Sequence, residues 1–394
     1  MDDKIRFESL DFLKSHTRKI LDFYDPVAYD PEGGFFQNFR DDGSVFDQYS
    51  RHLVSSTRFV FNYTEAYRRG YGDNYRKWAQ HALDFVNTHH YNQSTGHYLW
   101  QLGPEPDSRA MAYGHAFVMM AASFGIRIGL RGARKMLDQA ESILETYFLD
   151  ERYGLYADER SPDLSVLSGY RGQNANMHLC EAFIAAYVAT GDQGYRIRAE
   201  RLAEMFTGDL AAKAEGLIWE HYTEDWQVDW NYNRDKPDDL FKPWGFQPGH
   251  QVEWSKLLLQ LNDLNPNPSW VERARALFDR AMESGWDTTH GGLVYGFSPD
   301  GAFSNDDKYF WVHAEAFAAA YRLFATTGES EYLVWYNRIW DWSWQYLVDH
   351  THGAWYRIRR RDGSAIDDLK SPMGKVDYHT LGACWDVMDT MTKT

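Results

Sequence analysis

The chain has 394 residues, 44% of them hydrophobic and 25% charged, enough for a large buried core. Its formal net charge of −16 argues against nucleic acid or an anionic membrane as the main partner, because both are held by clustered Lys and Arg. The start "MDDKIR" has no apolar segment of the signal type, and the longest apolar run, around 116–126, stops at Arg127, far short of a membrane span.

The first predicted element is a helix over about 5–24. A short aromatic hairpin follows, "GGFFQNFRDDG" at 33–43, and its pattern returns as "TGHYLWQL" (95–102), "YGLYADERSPD" (153–163), "EGLIWEHYTEDW" (215–226), "HGGLVYGFSPDG" (290–301) and "GAWYRIRRRDG" (353–363). The glycines at 33, 96, 154, 216, 292 and 353 are separated by 63, 58, 62, 76 and 61 residues, a period regular enough to make the chain one repeat array. Residues 1–394 are therefore expected to form a single domain.

Between hairpins the apolar spacing predicts helix pairs over 50–69 and 74–89, 109–128 and 132–148, 172–190 and 194–212, 250–263 and 269–284, and 308–326 and 330–348. The turns inside the pairs carry Gly, Asp, Asn or Pro, as in "RGYGDN", "ATGDQG" and "NDLNPNPS". A last helix over about 377–391 can pair with the first. Twelve helices in six hairpins predict an all-α fold, a closed (α/α)6 barrel with short aromatic β-hairpins at one mouth; the open solenoid is the alternative, and closure removes the apolar ends that it would have to cap.

The first helix of each pair holds more small residues, as in "AFAAAY", and is expected in the inner ring. Polar residues near the inner N-termini then converge on one mouth: Arg58, Tyr113 and His115, Asn174 and His178, His250 and Glu253, Trp311 and Glu315, and His379. Any one of these, alone on an apolar face, reads as a satisfied core residue; recurrence in nearly every unit points to a pocket. Glu253, three residues after His250, is expected to orient its ring. The histidines with Glu253 could in principle hold zinc, but no inner helix carries a His-x-x-x-His or Cys pair, so neither a metal nor a cofactor is expected.

Much of the aromatic content, 16% of the chain, lies in the hairpins: Phe35, Phe36, Tyr98, Trp100, Trp219, Trp355 and Tyr356. Most of these are expected in the core, with a minority at the mouth where rings suit the C–H faces of a sugar. The segment 226–249, which accounts for the 76-residue spacing, is expected to be a lid rather than a surface excursion. Cys180 and Cys384 sit in apolar helical contexts as small buried hydrophobes, which fits a reducing, cytoplasmic setting.

Taken in order, "RGQNANMHLCEA", "PGHQVEWSKLL", "FWVHAEA" and "KVDYHTLGAC" resemble the N-acylglucosamine 2-epimerase superfamily over essentially the whole chain, and most closely its aldose–ketose isomerase branch, that of the mannose isomerases. The resemblance implies metal-independent proton transfer at C2 of an opened aldose, interconverting D-mannose or a related aldose with D-fructose through a cis-enediolate. It also implies roles: His379 as the base at C2, His250 as the second acid/base, and Arg58, Tyr113, Asn174, His178, Glu253, Trp311 and Glu315 as the substrate shell.

Both histidines are present, so the residues leave a mannose or cellobiose 2-epimerase open. A glycoside hydrolase using Glu253, Glu315 or Asp377, and a non-catalytic sugar- or protein-binding member, remain alternatives from other classes. The expected partner is a monosaccharide, with no nucleic acid or membrane, and the expected state a monomer or small homo-oligomer.

Overall fold

A computed structural model describes residues 5–393. Among them twelve α-helices run in chain order: α1 (Leu10–Tyr24), α2 (Leu53–Arg68), α3 (Asn74–Phe85), α4 (Ala112–Arg127), α5 (Ala133–Ile143), α6 (Gln173–Thr190), α7 (Gln193–Glu204), α8 (Pro248–Leu264), α9 (Pro268–Gly285), α10 (Phe310–Thr327), α11 (Ser330–Tyr346) and α12 (Tyr378–Lys393). The even-numbered helices pack each on the next, and α12 packs back on α2, so the ring closes. Each odd helix backs one of them, α1 pairing with α12 as expected.

Composition sorts the two layers. Inner helices are enclosed on nearly every side: in α2 every residue from Leu53 to Ala66 is buried, and in α10 the small residues Ala314, Ala316, Ala318, Ala319 and Ala320 let neighbouring backbones approach. Outer helices bury one stripe, as α7 does with Tyr195, Ala199, Leu202 and Ala203, and leave the charged face to solvent. None of the helices described is long and apolar enough to cross a membrane.

Several inner helices start two or three residues later than their apolar spacing suggests. The residues ahead of them are strands that lace neighbouring units together: 51–52 pairs with 101–102, 110–111 with 159–160, 171–172 with 221–222, and 308–309 with 358–359. Single bridges, Phe246 to Phe297 and Phe39 to Ser371, join the remaining neighbours. The mouth is thus sewn all the way round, and the backbone groups left over at the helix N-termini find partners there. Helix α1 begins at Leu10 rather than near residue 5 because Ser9 caps it, accepting from the Phe12 amide. Outer helices α3, α5 and α7 end in π turns, at 86–90, 144–148 and 205–210, which carry the predicted segments to their expected ends.

The repeat also recurs as a specific bond. A side chain in the first turns of an inner helix accepts the backbone N–H just past the hairpin glycine: His115 Nε2 from Tyr98 (3.1 Å), Asn176 Oδ1 from Tyr156 (2.9 Å), Gln251 Oε1 from Ile218 (3.0 Å) and His313 Nε2 from Leu293 (3.0 Å). His115 is therefore a structural bolt, not a pocket residue. Its Nδ1–H donates to the Met111 carbonyl (2.7 Å), and burial lowers its pKa to about 4, so the ring stays neutral.

Candidate active site

The N-termini of the inner helices open into a cavity of about 320 Å³ at the laced end of the ring. Arg58 (α2), Tyr113 (α4), Asn174 and His178 (α6), His250 and Glu253 (α8), Trp311 (α10) and His379 (α12) all line it, so eight of the ten residues expected at the mouth converge here, His115 being the bolt described above. Glu315 is the other exception: it lies behind His379 and lines a second chamber that opens at the opposite end of the ring.

The two central histidines are each held by a carboxylate. His379 Nδ1 donates to Glu315 Oε1 at 2.7 Å, and its Nε2 lies 3.2 Å from Arg58 Nη2. A guanidinium can only donate, so Nε2 carries the lone pair and Nδ1 the proton. Burial first, then Arg58, His178 and Lys256, hold this ring well below the usual histidine range, which keeps it neutral and basic in form at pH 7.

His250 Nδ1 lies 2.8 Å from Glu220 Oε1. The other oxygen of Glu220 accepts from Gln173 Nε2 (3.0 Å), and Gln173 Oε1 in turn accepts from Trp254 Nε1 (2.9 Å). Gln173 Nε2 also lies 2.8 Å from His250 Nδ1, so Glu220 and Gln173 together engage that nitrogen, orient the ring and leave Nε2 for the cavity. The group that orients His250 is therefore Glu220, not Glu253. The correction has a steric cause: three residues along a helix places Glu253 beside His250 on the rim, whereas Glu220 approaches from the preceding hairpin.

Glu253 instead stands alone. It is 1% exposed, and neither carboxylate oxygen has a hydrogen-bond partner. Burial, and next the neighbouring Glu315, push its carboxyl well above the usual range. A buried polar group without a partner is costly, and such orphaned groups mark places where a ligand completes the bonding.

His178 donates Nδ1–H to Glu181 Oε2 (3.0 Å), whose other oxygen takes the Tyr378 hydroxyl (2.9 Å). Trp311 lies between the central histidines, its ring centroid 5.0 Å from His250 and 5.8 Å from His379. Gly249 makes room for it, since a Cβ there would collide with the indole. Arg58 is gripped between the rings of Phe117 (4.5 Å) and Tyr378 (4.7 Å) and donates to the Gly374 carbonyl. Just before α12, Val376 and Asp377 take positive φ of 35° and 46°. That turn is fixed by Asn62 Nδ2 on the Val376 carbonyl (2.8 Å) and by Asp377 accepting from Tyr24 (2.6 Å) and Thr380 (2.8 Å).

Asp377 is thus committed to the fold and does not reach the cavity. With Glu315 behind His379, the carboxylates do not flank a sugar as a hydrolase requires. The trio Glu253, Glu315 and His379 has ligand-type atoms close enough to consider a cation. However, both Glu315 oxygens and His379 Nδ1 are already bonded, to Lys256 and to each other, which leaves the Glu253 carboxyl and His379 Nε2, the latter beside the Arg58 guanidinium.

Most hairpin aromatics are core, as expected: Phe35, Tyr98, Trp100, Trp219 and Trp355 are buried. The rings at the mouth are others, Tyr295, Tyr309, Phe310 and Phe241. Phe241 belongs to the long 226–249 segment, which lies against the cavity: its ring is 5.4 Å from Trp100 and 5.7 Å from Tyr113, and Asn174 Nδ2 is 3.5 Å from its carbonyl. Sequence reasoning missed Glu220, Gln173 and Lys256. The available signal was an acidic residue in "LIWEHY" at a hairpin position that must be enclosed.

Residues 34–383 match the N-acylglucosamine 2-epimerase (GlcNAc 2-epimerase) family. The chain is 48% identical over 389 residues to a D-mannose isomerase from Marinomonas mediterranea, covering 98% of each sequence. It superposes on the crystal structure of a D-mannose isomerase with a TM-score of 0.96 at 47% identity, covering 98% of this chain and 100% of that one. A cellobiose 2-epimerase from Bacillus thermoamylovorans shares the fold at a TM-score of 0.85 and 20% identity, covering 97% of this chain and 100% of that one. The chain belongs to the N-acylglucosamine 2-epimerase family.

Proposed function

We propose that the protein is an aldose–ketose isomerase that interconverts D-mannose and D-fructose, acting as one catalytic domain. The observation that carries this reading is the pair of buried, oppositely supported histidines, His379 on Glu315 and His250 on Glu220, facing one sugar-sized cavity in a chain that is near half identical to a D-mannose isomerase along its full length.

In this reading His250, through Nε2, assists ring opening and handles the proton on the O1/O5 side. His379 Nε2 takes the C2 proton. The enediolate carries negative charge on O1 and O2, and Arg58, already beside Nε2, is placed to stabilise it. The proton then returns to C1, giving the ketose. A buried neutral imidazole serves both transfers, each a contribution of roughly 10²–10⁴ in rate. Trp311 offers an apolar face to the sugar ring, and Tyr113, Asn174, His178 and Glu253 supply polar partners for its hydroxyls.

The experiment is incubation with D-mannose in D2O with a chelator present, followed by NMR, beside His379→Ala. Fructose that forms in the native protein and not in the variant supports the isomerase. Glucose deuterated at C2 would reassign the site to 2-epimerisation. No product and no exchange of any C–H proton would overturn the proton-transfer reading altogether.

A further inference from the structure

Behind His379, on the side away from the sugar cavity, stands a charged group that the proposed mechanism does not use. Lys256 lies on α8 with 7% of its side chain exposed, and its ammonium donates to Glu315 Oε2. Glu315 Oε1 is the atom that receives His379 Nδ1–H. One carboxylate is therefore clamped at both oxygens, by a cation on one side and by the imidazole on the other. Lys256 is absent from the lining of the sugar cavity and lines the rear chamber instead.

A buried ion pair is weak support for stability, because desolvation offsets much of its attraction. What this one does is geometric and electrostatic. Three carboxylates crowd this layer, the buried Glu253 on α8 and Glu315 on α10 and the half-buried Glu181 on α6. Arg58 on α2 faces them from the sugar side, Lys256 from the rear, with Asp386 of α12 below and the neutral groups His178 and Tyr378 beside them. Without Lys256, Glu315 would face two other carboxylates, since the buried cation Arg322 that lines the same chamber is taken up by Asp386 and Asp263.

We propose that Lys256 is a positioning residue for His379: its ammonium fixes the Glu315 carboxylate against Nδ1 and so selects the tautomer whose unprotonated Nε2 faces the sugar. The inference rests on His379 being the base. Removing the cation raises the proton affinity of the Glu315–His379 pair wherever the proton settles, on the carboxylate or on the ring. Burial already raises Glu315, and Lys256 is the largest influence pulling it back down. Lys256 likewise lowers His379. Both effects have the same sign.

The test uses Lys256→Met, which keeps length and bulk without charge, and Lys256→Arg, which keeps charge. For Lys256→Met the acidic limb of kcat/KM moves up by about a pH unit or more, kcat at pH 7 falls about 10–100-fold, and KM stays within about threefold, as expected for a group that acts on the base from behind. Lys256→Arg restores the limb. The pair Glu315→Gln and Lys256→Met/Glu315→Gln, which buries no lone charge, gives the second arm: the double variant is no slower than Glu315→Gln alone if Lys256 works through Glu315.

Nitrogen-15 histidine NMR, with His379→Asn for assignment, reads the tautomer without substrate. It shows Nδ1–H in the native protein and an upward titration shift in Lys256→Met. If the ring's tautomer and titration are unchanged while the native enzyme still turns over, the role of Lys256 is overturned and the isomerase stands. If the NMR shift occurs but no sugar reacts, the isomerase reading has failed and the positioning role remains. Additive losses in the double variant would also overturn the proposal.

Discussion

The Glu220–Gln173–Trp254 chain makes one substitution unusually informative. In Glu220→Gln the new amide must present one oxygen and one NH2. Gln173 cannot turn over, because its oxygen already accepts from Trp254, so its own NH2 stays pointed at residue 220. The new oxygen must meet that NH2, since two donors cannot face each other. The new NH2 is then left facing His250 Nδ1 at what was a 2.8 Å contact, and the Gln173 NH2 lies 2.8 Å from the same nitrogen, so Nδ1 meets two donors and no acceptor.

Nδ1 must become the acceptor, and the ring proton moves to Nε2, the nitrogen that faces the sugar. The acid/base is thus inverted with almost no change in shape. A general acid–base contribution of about 10²–10⁴ is at stake, or about 2.7–5.4 kcal/mol of barrier at 1.36 kcal/mol per decade. The loss falls in kcat, while folding stability changes by about 1 kcal/mol, the scale of one exchanged hydrogen bond. Initial rates of fructose formation from mannose, with thermal unfolding as control, measure both. Glu220→Gln/Gln173→Glu returns a carboxylate within reach of Nδ1 and is expected to recover at least tenfold of the lost rate. A Glu220→Gln enzyme with kcat within threefold of native would refute the orientation argument.

Glu253→Gln removes a buried acid that has no partner. The folded carboxyl sits above its unfolded value of 4.5, so the native acid loses stability as pH rises from there. The variant is therefore more stable than native at pH 8, with a smaller gain at pH 5, while kcat/KM falls about tenfold or more if the acid binds sugar; melting curves at the two pH values decide. Phe241→Ala strips a half-buried ring from the cavity wall, and KM for mannose is expected to rise about 3–30-fold with little change in melting temperature; an unaltered KM would mean that 226–249 is a surface excursion.

Acid should unfold the protein early. Burial lowers His16, His52 and His313 to about 3, and His90 and His115 to about 4. These folded values lie below the unfolded 6.5, so below pH 6.5 the unfolded chain takes up protons that the fold refuses. Stability is complete above that pH and is lost as pH falls toward 4, by about 2 kcal/mol at pH 5 for a single such histidine. His115→Asn is expected to flatten the pH dependence of urea midpoints over pH 4–6.5, and an unchanged slope would remove His115 from the account.

The ring was legible in the sequence because it is repeated: the spacing of Gly33, Gly96, Gly154, Gly216, Gly292 and Gly353 reports the period directly, and each of these glycines takes a positive φ at its turn. The cavity lining was legible for the same reason, since polar residues recur one turn into each apolar inner helix. Repetition also misled. His115 occupies the same kind of position as the pocket histidines, but its Nε2 is spent on a hairpin amide, and whether a side chain turns inward or back depends on one helical step. The supports of the base and acid, Lys256 and Glu220, carried no periodic signal because each occurs once.

That contrast explains how a symmetric frame acquires asymmetric chemistry. The laced strands and the bolts at His115, Asn176, Gln251 and His313 are near-equivalent devices that fix the mouth, and they involve neutral groups whose bonds are complete. Around the cavity, by contrast, charge breaks the symmetry: Glu220 stands behind His250, Glu315 and Lys256 behind His379, and Arg58 between Phe117 and Tyr378. Buried charges cost too much to be placed idly, so each must be compensated by a neighbour from another unit. Glu220 comes to α8 from the preceding hairpin, and Glu315 is shared between α8 and α12. The site can form only when the ring has closed, because α12, which carries His379, meets Arg58 of α2 across the seam between the last unit and the first.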